Sequence, residues 1–452
     1  MNGLPRFEEV ARVRPVDLLA SRSIGYESEG PGRGALPQPA PYVAVVAETT
    51  GARAGVGLRS GDVEIDALVD GRRTALRVEV RGAGYVHRSR RHGRLPRDAR
   101  VDGLALTLTG SQVTVFTRLG ETWTARARAS LTDHDVEASD PGWLAGLEVR
   151  GTGDVGRVRA GAFGQLGLRD LRLVTNADGT PYAPDGRILL TATSAGPGFF
   201  GTGHASVWEL DPATLSLDHR SDVFFGRGGQ VYGDHAIHLV HDPTDDHEWM
   251  VATSTWGDFA DPAVDHVHVE IGRTSADLLG GRHVVDTEPL QLPTGGLRSV
   301  GVWDPHLVRT RTASTGDEEW LVGYVSARRY FDFHPALAAG PSLDRLGLRA
   351  AATERRATEG TTVARIGDAW RVLASDGRDN RRRHRAAYPV FDLDLRQVGS
   401  LQAPYPTNLP WPTIVPTPQG MLLIGFDGTP SGGRLAGYGT HGAVVIAREV
   451  SD

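Results

Sequence analysis

Neither cysteine nor lysine occurs anywhere in the chain, and all 49 basic residues are arginine. The lack of cysteine excludes disulfides, a thiolate nucleophile and cysteine-ligated zinc. The lack of lysine excludes Schiff-base catalysis and the phosphate-binding lysine of a P-loop. No apolar run approaches the roughly 18 residues that span a bilayer, so no membrane partner is expected. Glu8, Glu9 and Asp17 interrupt the first apolar stretch, which is wrong for a signal peptide. The chain as it stands therefore reads as cytoplasmic, with secretion behind a removed leader as the alternative. A net charge of −6 gives no reason to expect nucleic acid.

Turn formers are plentiful instead. With 57 Gly and 27 Pro among 452 residues, short strands and tight turns are favoured over long helices. Hydrophobic residues make up 40% of the chain and include nine Trp, enough to fill large cores. The length exceeds one ordinary core, so two domains are the natural expectation.

Residues 1–40 read as an N-terminal segment that ends in a Gly/Pro-rich linker from Gly30 to Pro41. From 41 to about 160, short strands follow one another: Tyr42 to Ala47, Val63 to Val69, Ala75 to Val80, Leu104 to Leu108, Val113 to Thr117 and Thr122 to Arg126. Val113-Thr114-Val115-Phe116-Thr117 alternates with period two, as half-buried strands do, and the series predicts a β-sandwich. The stretch around Gly120-Glu121-Thr122-Trp123-Thr124, with Trp143 to Leu147, resembles the laminin-G or concanavalin-like sandwiches of carbohydrate-active enzymes.

From residue 161 to the end a longer pattern takes over. Apolar pairs at Leu173-Val174, Leu239-Val240, Leu307-Val308, Val363-Ala364 and Ile414-Val415 recur about every 50 to 70 residues. Each is followed by a partner strand: Ile188 to Thr193, Trp249 to Thr253, Trp320 to Val325, Trp370 to Ala374 and Met421 to Phe426. Four-stranded units around an axis match this period, and five units predict an all-β, five-bladed propeller over 161–452. The last unit has only three visible strands; its fourth comes from the N-terminal segment or from the connector near Val155 to Gly164.

Acids open several of these units. Asp170 precedes the first apolar pair, Asp234 lies before the second, Asp304 opens the third and Glu359 precedes the fourth, while Trp411 stands at the fifth. Carboxylates that meet in a confined pocket repel, so at least one pKa rises and that group can donate a proton near neutral pH. Glu359 is the candidate acid, Asp304 its modulator and Asp170 the base or nucleophile.

The order Arg169-Asp170, then Asp304-Pro305, then Glu359-Gly360 resembles the five-bladed glycoside hydrolases of families 43 and 62, and more distantly the invertase-like families 32 and 68. In that superfamily the first Asp is base or nucleophile, the Asp of Asp-Pro tunes the acid, and the Glu is the general acid. The resemblance assigns those roles to Asp170, Asp304 and Glu359. It implies an oligosaccharide, polysaccharide or glycoside substrate of the arabinofuranoside, xyloside or fructoside class, with inversion favoured. No cofactor is required, although a structural calcium at the axis is implied, for which His441 is the positional candidate. Departures are Leu171 after Asp170, Thr361 after Gly360, and the lack of the invertase-type Asn-Asp-Pro motif.

Further candidates for substrate contact are Asp234, His235, Arg169 and the platforms Trp303 and Trp411. Strand alternation points Arg169 and His306 away from the axis. The Arg-rich run Arg378 to Arg385 reads as a solvated loop, and His266 and His268 form a pair without a third ligand. The rival readings are a retaining hydrolase or transglycosylase with Asp170 as nucleophile, a phosphorylase, and a non-catalytic carbohydrate-binding propeller. The sequence leaves the oligomeric state open.

Overall fold

The computed structural model describes residues 4–97, 99–259, 266–312, 315–377, 387–402, 411–429, 435 and 442–450. The fold is all-β, and the one α-helix among the described residues is the five-residue turn Pro141–Ala145.

Residues 17–165 form one ten-stranded sheet folded over on itself. Its spine is the long strand Tyr42–Ser60, which pairs with Gly103–Thr109 along its first half and with Val63–Asp70 along its second. Two-residue turns join the neighbours, and Gly61 and Gly71 occupy them at φ +58° and +55°, where a side chain is disfavoured. The two halves share one apolar core, with Leu58, Ile65 and Val78 meeting Leu104, Leu106 and Val115.

The segment expected to be a linker is paired. Gly32–Ala35 and Asp17–Glu29 both run antiparallel to Glu148–Gln165, and Leu36 is buried. Gly-rich composition does not prevent a strand when a long neighbour supplies every backbone partner.

The remaining chain forms five four-stranded arrays. Two of them, starting at Leu168–Leu173 and His235–His241, fuse because their outermost strands, Leu217–Arg227 and Gly281–Pro289, pair in parallel. Two more start at Val302–Arg311 and Thr358–Ile366. The last starts at Thr413–Thr417 and is completed by Arg6–Val13 against Ala443–Val450, so the N-terminal segment supplies its fourth strand. The first strands touch one another: 168–173 meets 235–241 and 413–417, and 302–311 meets both 235–241 and 358–366.

One irregularity recurs in four of these first strands. Two residues oppose one at Asp170-Leu171, Ala236-Ile237, Asp304-Pro305 and Gly360-Thr361. The first residue of each pair is left-handed, with φ of +53°, +59°, +58° and +72°. Such a bulge resets the strand's alternation, so residues three apart share a face.

Candidate active site

The bulges put the candidate acids together. A cavity of about 350 Å³ is lined by Asp170, Asp304 and Glu359, along with Arg169, His235, Trp303 and Trp411. Asp170 and Asp304 hold equivalent bulge positions on their strands. Glu359 lies one residue earlier, at the position filled elsewhere by Arg169, His235 and Trp303. Two different strand positions therefore supply the three carboxyls.

Asp170 accepts a hydrogen bond from the Thr193 hydroxyl at 2.7 Å and faces the Arg169 guanidinium at 3.8 Å. His235 Nδ1 lies 3.9 Å from the same carboxylate. The His235 Nε2 is bonded to the Phe200 carbonyl at 3.2 Å, which makes Nε2–H the donor and leaves Nδ1 without a hydrogen-bond partner. Burial lowers this imidazole's pKa to about 4, so it is neutral at pH 7.

Asp304 is buried. Its carboxylate accepts the Gly360 amide at 3.2 Å, and its own amide donates to the Ser254 hydroxyl at 2.9 Å. Burial first, and then the charge of Glu359, push its pKa well above the usual carboxylate range. Glu359 is the most accessible of the three, partly exposed at the bottom of the cavity. Its deep setting, with the Asp170 charge close by, pushes its carboxyl up to about 7. The indole N–H groups of Trp303 and Trp411 pull the other way, although neither reaches hydrogen-bond geometry.

Below the acids the first strands close around Arg172, which is fully buried. Its guanidinium donates to the Thr361 carbonyl at 3.2 Å, the Thr362 hydroxyl at 2.8 Å and the Asp304 carbonyl at 3.0 Å. It also lies over the Trp411 ring at 4.5 Å. His306 and His238 stack beside it, with ring centroids 3.9 Å apart. His306 therefore points inward and Arg169 lines the cavity, contrary to simple alternation, because each bulge shifts the facing by one residue. The oxygens that a calcium ion would need here already receive the guanidinium, and that positive charge opposes a second cation. Calcium does not fit the described residues at this centre. Among the described residues no group of three or more acidic or histidine side chains is disposed to hold a metal. His441 and the run Arg378 to Arg385 lie outside the described residues.

One candidate for substrate contact is corrected. Asp234 does not line the cavity. It is buried against Arg227, accepts the Gly257 amide at 2.8 Å, and joins Asp258 around that one guanidinium. The carboxylate turns into the protein and is not free for a sugar hydroxyl. His268 is bonded to Glu270 at 3.2 Å while His266 is exposed, so the pair is not a metal site.

The sequence reading missed the aromatic wall. Phe199, Phe200, Trp256, Phe259, Tyr330, Phe331 and Phe333 line the cavity alongside the two expected Trp. They sit in turns and strand ends outside the apolar periodicity. The dipeptides Phe199-Phe200 and Tyr330-Phe331 within turn sequences were the available signal.

No protein-family model matches the chain, and no curated protein matches it. Among solved structures, the chain is similar to a GH43_1 enzyme from Xanthomonas citri (13% identity, TM-score 0.41), covering 62% of this chain and 87% of that one. It is similar to a GH62 hydrolase in complex with xylotriose (10% identity, TM-score 0.37), covering 63% and 92%. The galectin LEC-6 of Caenorhabditis elegans covers 31% of this chain and 98% of its own (12% identity, TM-score 0.21). At these TM-scores the likenesses carry no argument about activity, which has to be read from the cavity itself.

Proposed function

We propose that the chain is a glycoside hydrolase, built as an N-terminal β-sandwich and a five-bladed β-propeller with its site where the first strands meet. The observation that carries this reading is the meeting of Asp170, Asp304 and Glu359, from three separated strands, in one cavity. Of the three, Glu359 combines access to the cavity with a pKa of about 7, which suits a proton donor at neutral pH.

In the proposed reaction Glu359 gives its proton to the glycosidic oxygen as the bond from that oxygen to the anomeric carbon breaks. Asp170 takes a proton from the water whose oxygen bonds to that carbon. Asp304 acts through Glu359 and not on the sugar. The Thr193 hydroxyl and the Arg169 guanidinium orient the Asp170 carboxylate, and Trp303 and Trp411 offer faces to the ring. Inversion follows from the family that the three acids resemble.

The test is hydrolysis of arabinofuranosides, xylosides and fructosides by the wild type and by Asp170→Asn and Glu359→Gln. Loss of turnover by at least about 10²-fold in both variants is expected. Unchanged sugar binding with no turnover in any of the three proteins sinks the hydrolase reading in favour of a binding propeller. Proton NMR of the first-formed anomer decides the stereochemistry, and a retained anomer makes Asp170 the nucleophile.

A further inference from the structure

The cavity has two chemically different surfaces. Its floor carries the polar side chains of Asp170, Asp304, Glu359, Arg169 and Thr193. Its wall is Phe199, Phe200, Phe259, Tyr330, Phe331 and Phe333. Four of these rings run on from one another: Phe199 lies 3.9 Å from Phe200, Phe200 lies 5.3 Å from Phe259 edge-on, and Phe259 lies 5.2 Å from Tyr330.

Few polar atoms lie along the wall, and each of them holds a backbone hydrogen bond. The Tyr330 hydroxyl accepts the Val267 amide at 3.3 Å, and the Thr202 hydroxyl donates to the Phe199 carbonyl at 2.8 Å. His235 Nε2–H is given to the Phe200 carbonyl. A second sugar placed here would find few partners for its several hydroxyls, and each one buried unpaired is costly. An apolar ring meets no such cost and gains contact.

The rim points the same way. Phe199 and Phe331 are 42% and 61% exposed, the two phenylalanines among the exposed large hydrophobics, and both border this cavity. Phe331 also has φ +79°, a conformation that a bulky side chain adopts only under strain. Neither the exposure nor the strain helps the fold. The exposure is offset when an apolar group covers the ring. A volume of about 350 Å³ lies at the small end for ligand cavities and suits one sugar with a compact aglycone.

We propose that the substrate is a glycoside of a single sugar whose leaving group is an apolar, ring-bearing alcohol, seated on the wall from Phe199 to Phe333. This rests on the hydrolase reading for the chemistry, but the apolar half of the site can be tested without turnover.

The experiment compares 2-phenylethyl and ethyl glycosides of the same sugar, whose leaving alcohols are similar in acidity. With the full-length protein, kcat/KM is expected to favour the phenylethyl glycoside by about tenfold or more. In the double variant Phe199→Ser/Phe331→Ser, whose exposed sites should leave folding intact by circular dichroism, that ratio falls toward one. Calorimetric titration with 2-phenylethanol alone should detect binding to the wild type and weaker binding to the double variant. A wild-type ratio at or below one, or a ratio and an alcohol affinity that the double variant leaves unchanged, overturns the proposal while the hydrolase reading stands. If no glycoside is cleaved but the wild type binds the alcohol and the double variant does not, the hydrolase reading falls and the apolar subsite stands. If nothing is cleaved and no alcohol binds, both fall.

Discussion

The Gly360 amide donates to the Asp304 carboxylate at 3.2 Å, which ties the acid of one first strand to the residue that follows the acid of the next. Asp304 thereby fixes the backbone beside Glu359. Asp304→Asn keeps the acceptor oxygen and removes the ionisable group. Because burial already disfavours the ionised form, the variant should fold at least as stably as the wild type. Its kcat should fall about 10²- to 10³-fold with KM little changed. A raised KM with kcat intact would instead make Asp304 a group that holds substrate.

The pH profile follows from Glu359. A donor must be protonated, and with a pKa of about 7 its protonated fraction falls as pH rises through neutrality. The alkaline limb of kcat/KM should therefore bend near pH 7 and drop tenfold per unit beyond it. The Asp170 charge is the largest cause after burial, so Asp170→Asn should move the Glu359 titration to lower pH. Carbon-13 NMR of the labelled carboxyl would read that shift directly, and a titration that stays in place would remove Asp170 from its surroundings.

The same group sets a stability prediction of definite sign. The folded pKa of Glu359 lies above its unfolded value of 4.5, so its contribution is fully present below pH 4.5 and is lost as pH rises through about 7. Glu359→Gln cannot ionise and escapes that loss. At pH 8 the variant should be more stable than the wild type by about 1–3 kcal/mol, while at pH 4 the two should be nearly equal. Urea denaturation at both pH values checks this; equal stability at pH 8 would mean that the carboxyl is not strained.

Much of the fold was legible because period and turn chemistry are local. The partner strands around Ile188, Trp249, Trp320, Trp370 and Met421 all form where the apolar pattern puts them. The bulges were not legible: Asp170, Ala236, Asp304 and Gly360 share a left-handed backbone but no residue type. Reading the strands as regular therefore sent Arg169 and His306 to the wrong face. Asp234 failed for another reason, since its partner Arg227 comes from the preceding hairpin strand and becomes a neighbour only when the sheet forms.

The N-terminal sheet takes part in shaping the cavity. The Tyr42 hydroxyl donates to the Gly203 carbonyl at 2.9 Å and lies 3.2 Å from that of Gly201, within the turn that carries Phe199 and Phe200. Its ring lies within 5.5 Å of both His204 and Phe224, so the contact is packed on both sides. Tyr42→Phe preserves that packing and leaves the carbonyls short of a donor, a loss of about 1–3 kcal/mol. The expected signature is a higher KM with little change in kcat, since the wall and not the acids is loosened. A fall in kcat alone would show that the turn reaches the chemistry.

Arg172 gives the last prediction, because it does at the centre of the first strands what a bound cation would otherwise do. One guanidinium reaches the Asp304 carbonyl, the Thr361 carbonyl and the Thr362 hydroxyl, and so holds the strands of two proposed acids together. Prolonged chelation with EDTA should therefore leave turnover and the urea midpoint unchanged. Arg172→Lys keeps the charge but replaces a planar fork with a single ammonium, which cannot serve oxygens on two strands with the same geometry. The variant should lose about 1–3 kcal/mol of stability and at least tenfold in kcat, because Asp304 and Glu359 no longer hold their spacing. Activity lost to EDTA and restored by calcium would show that a cation, and not this arginine, completes the centre.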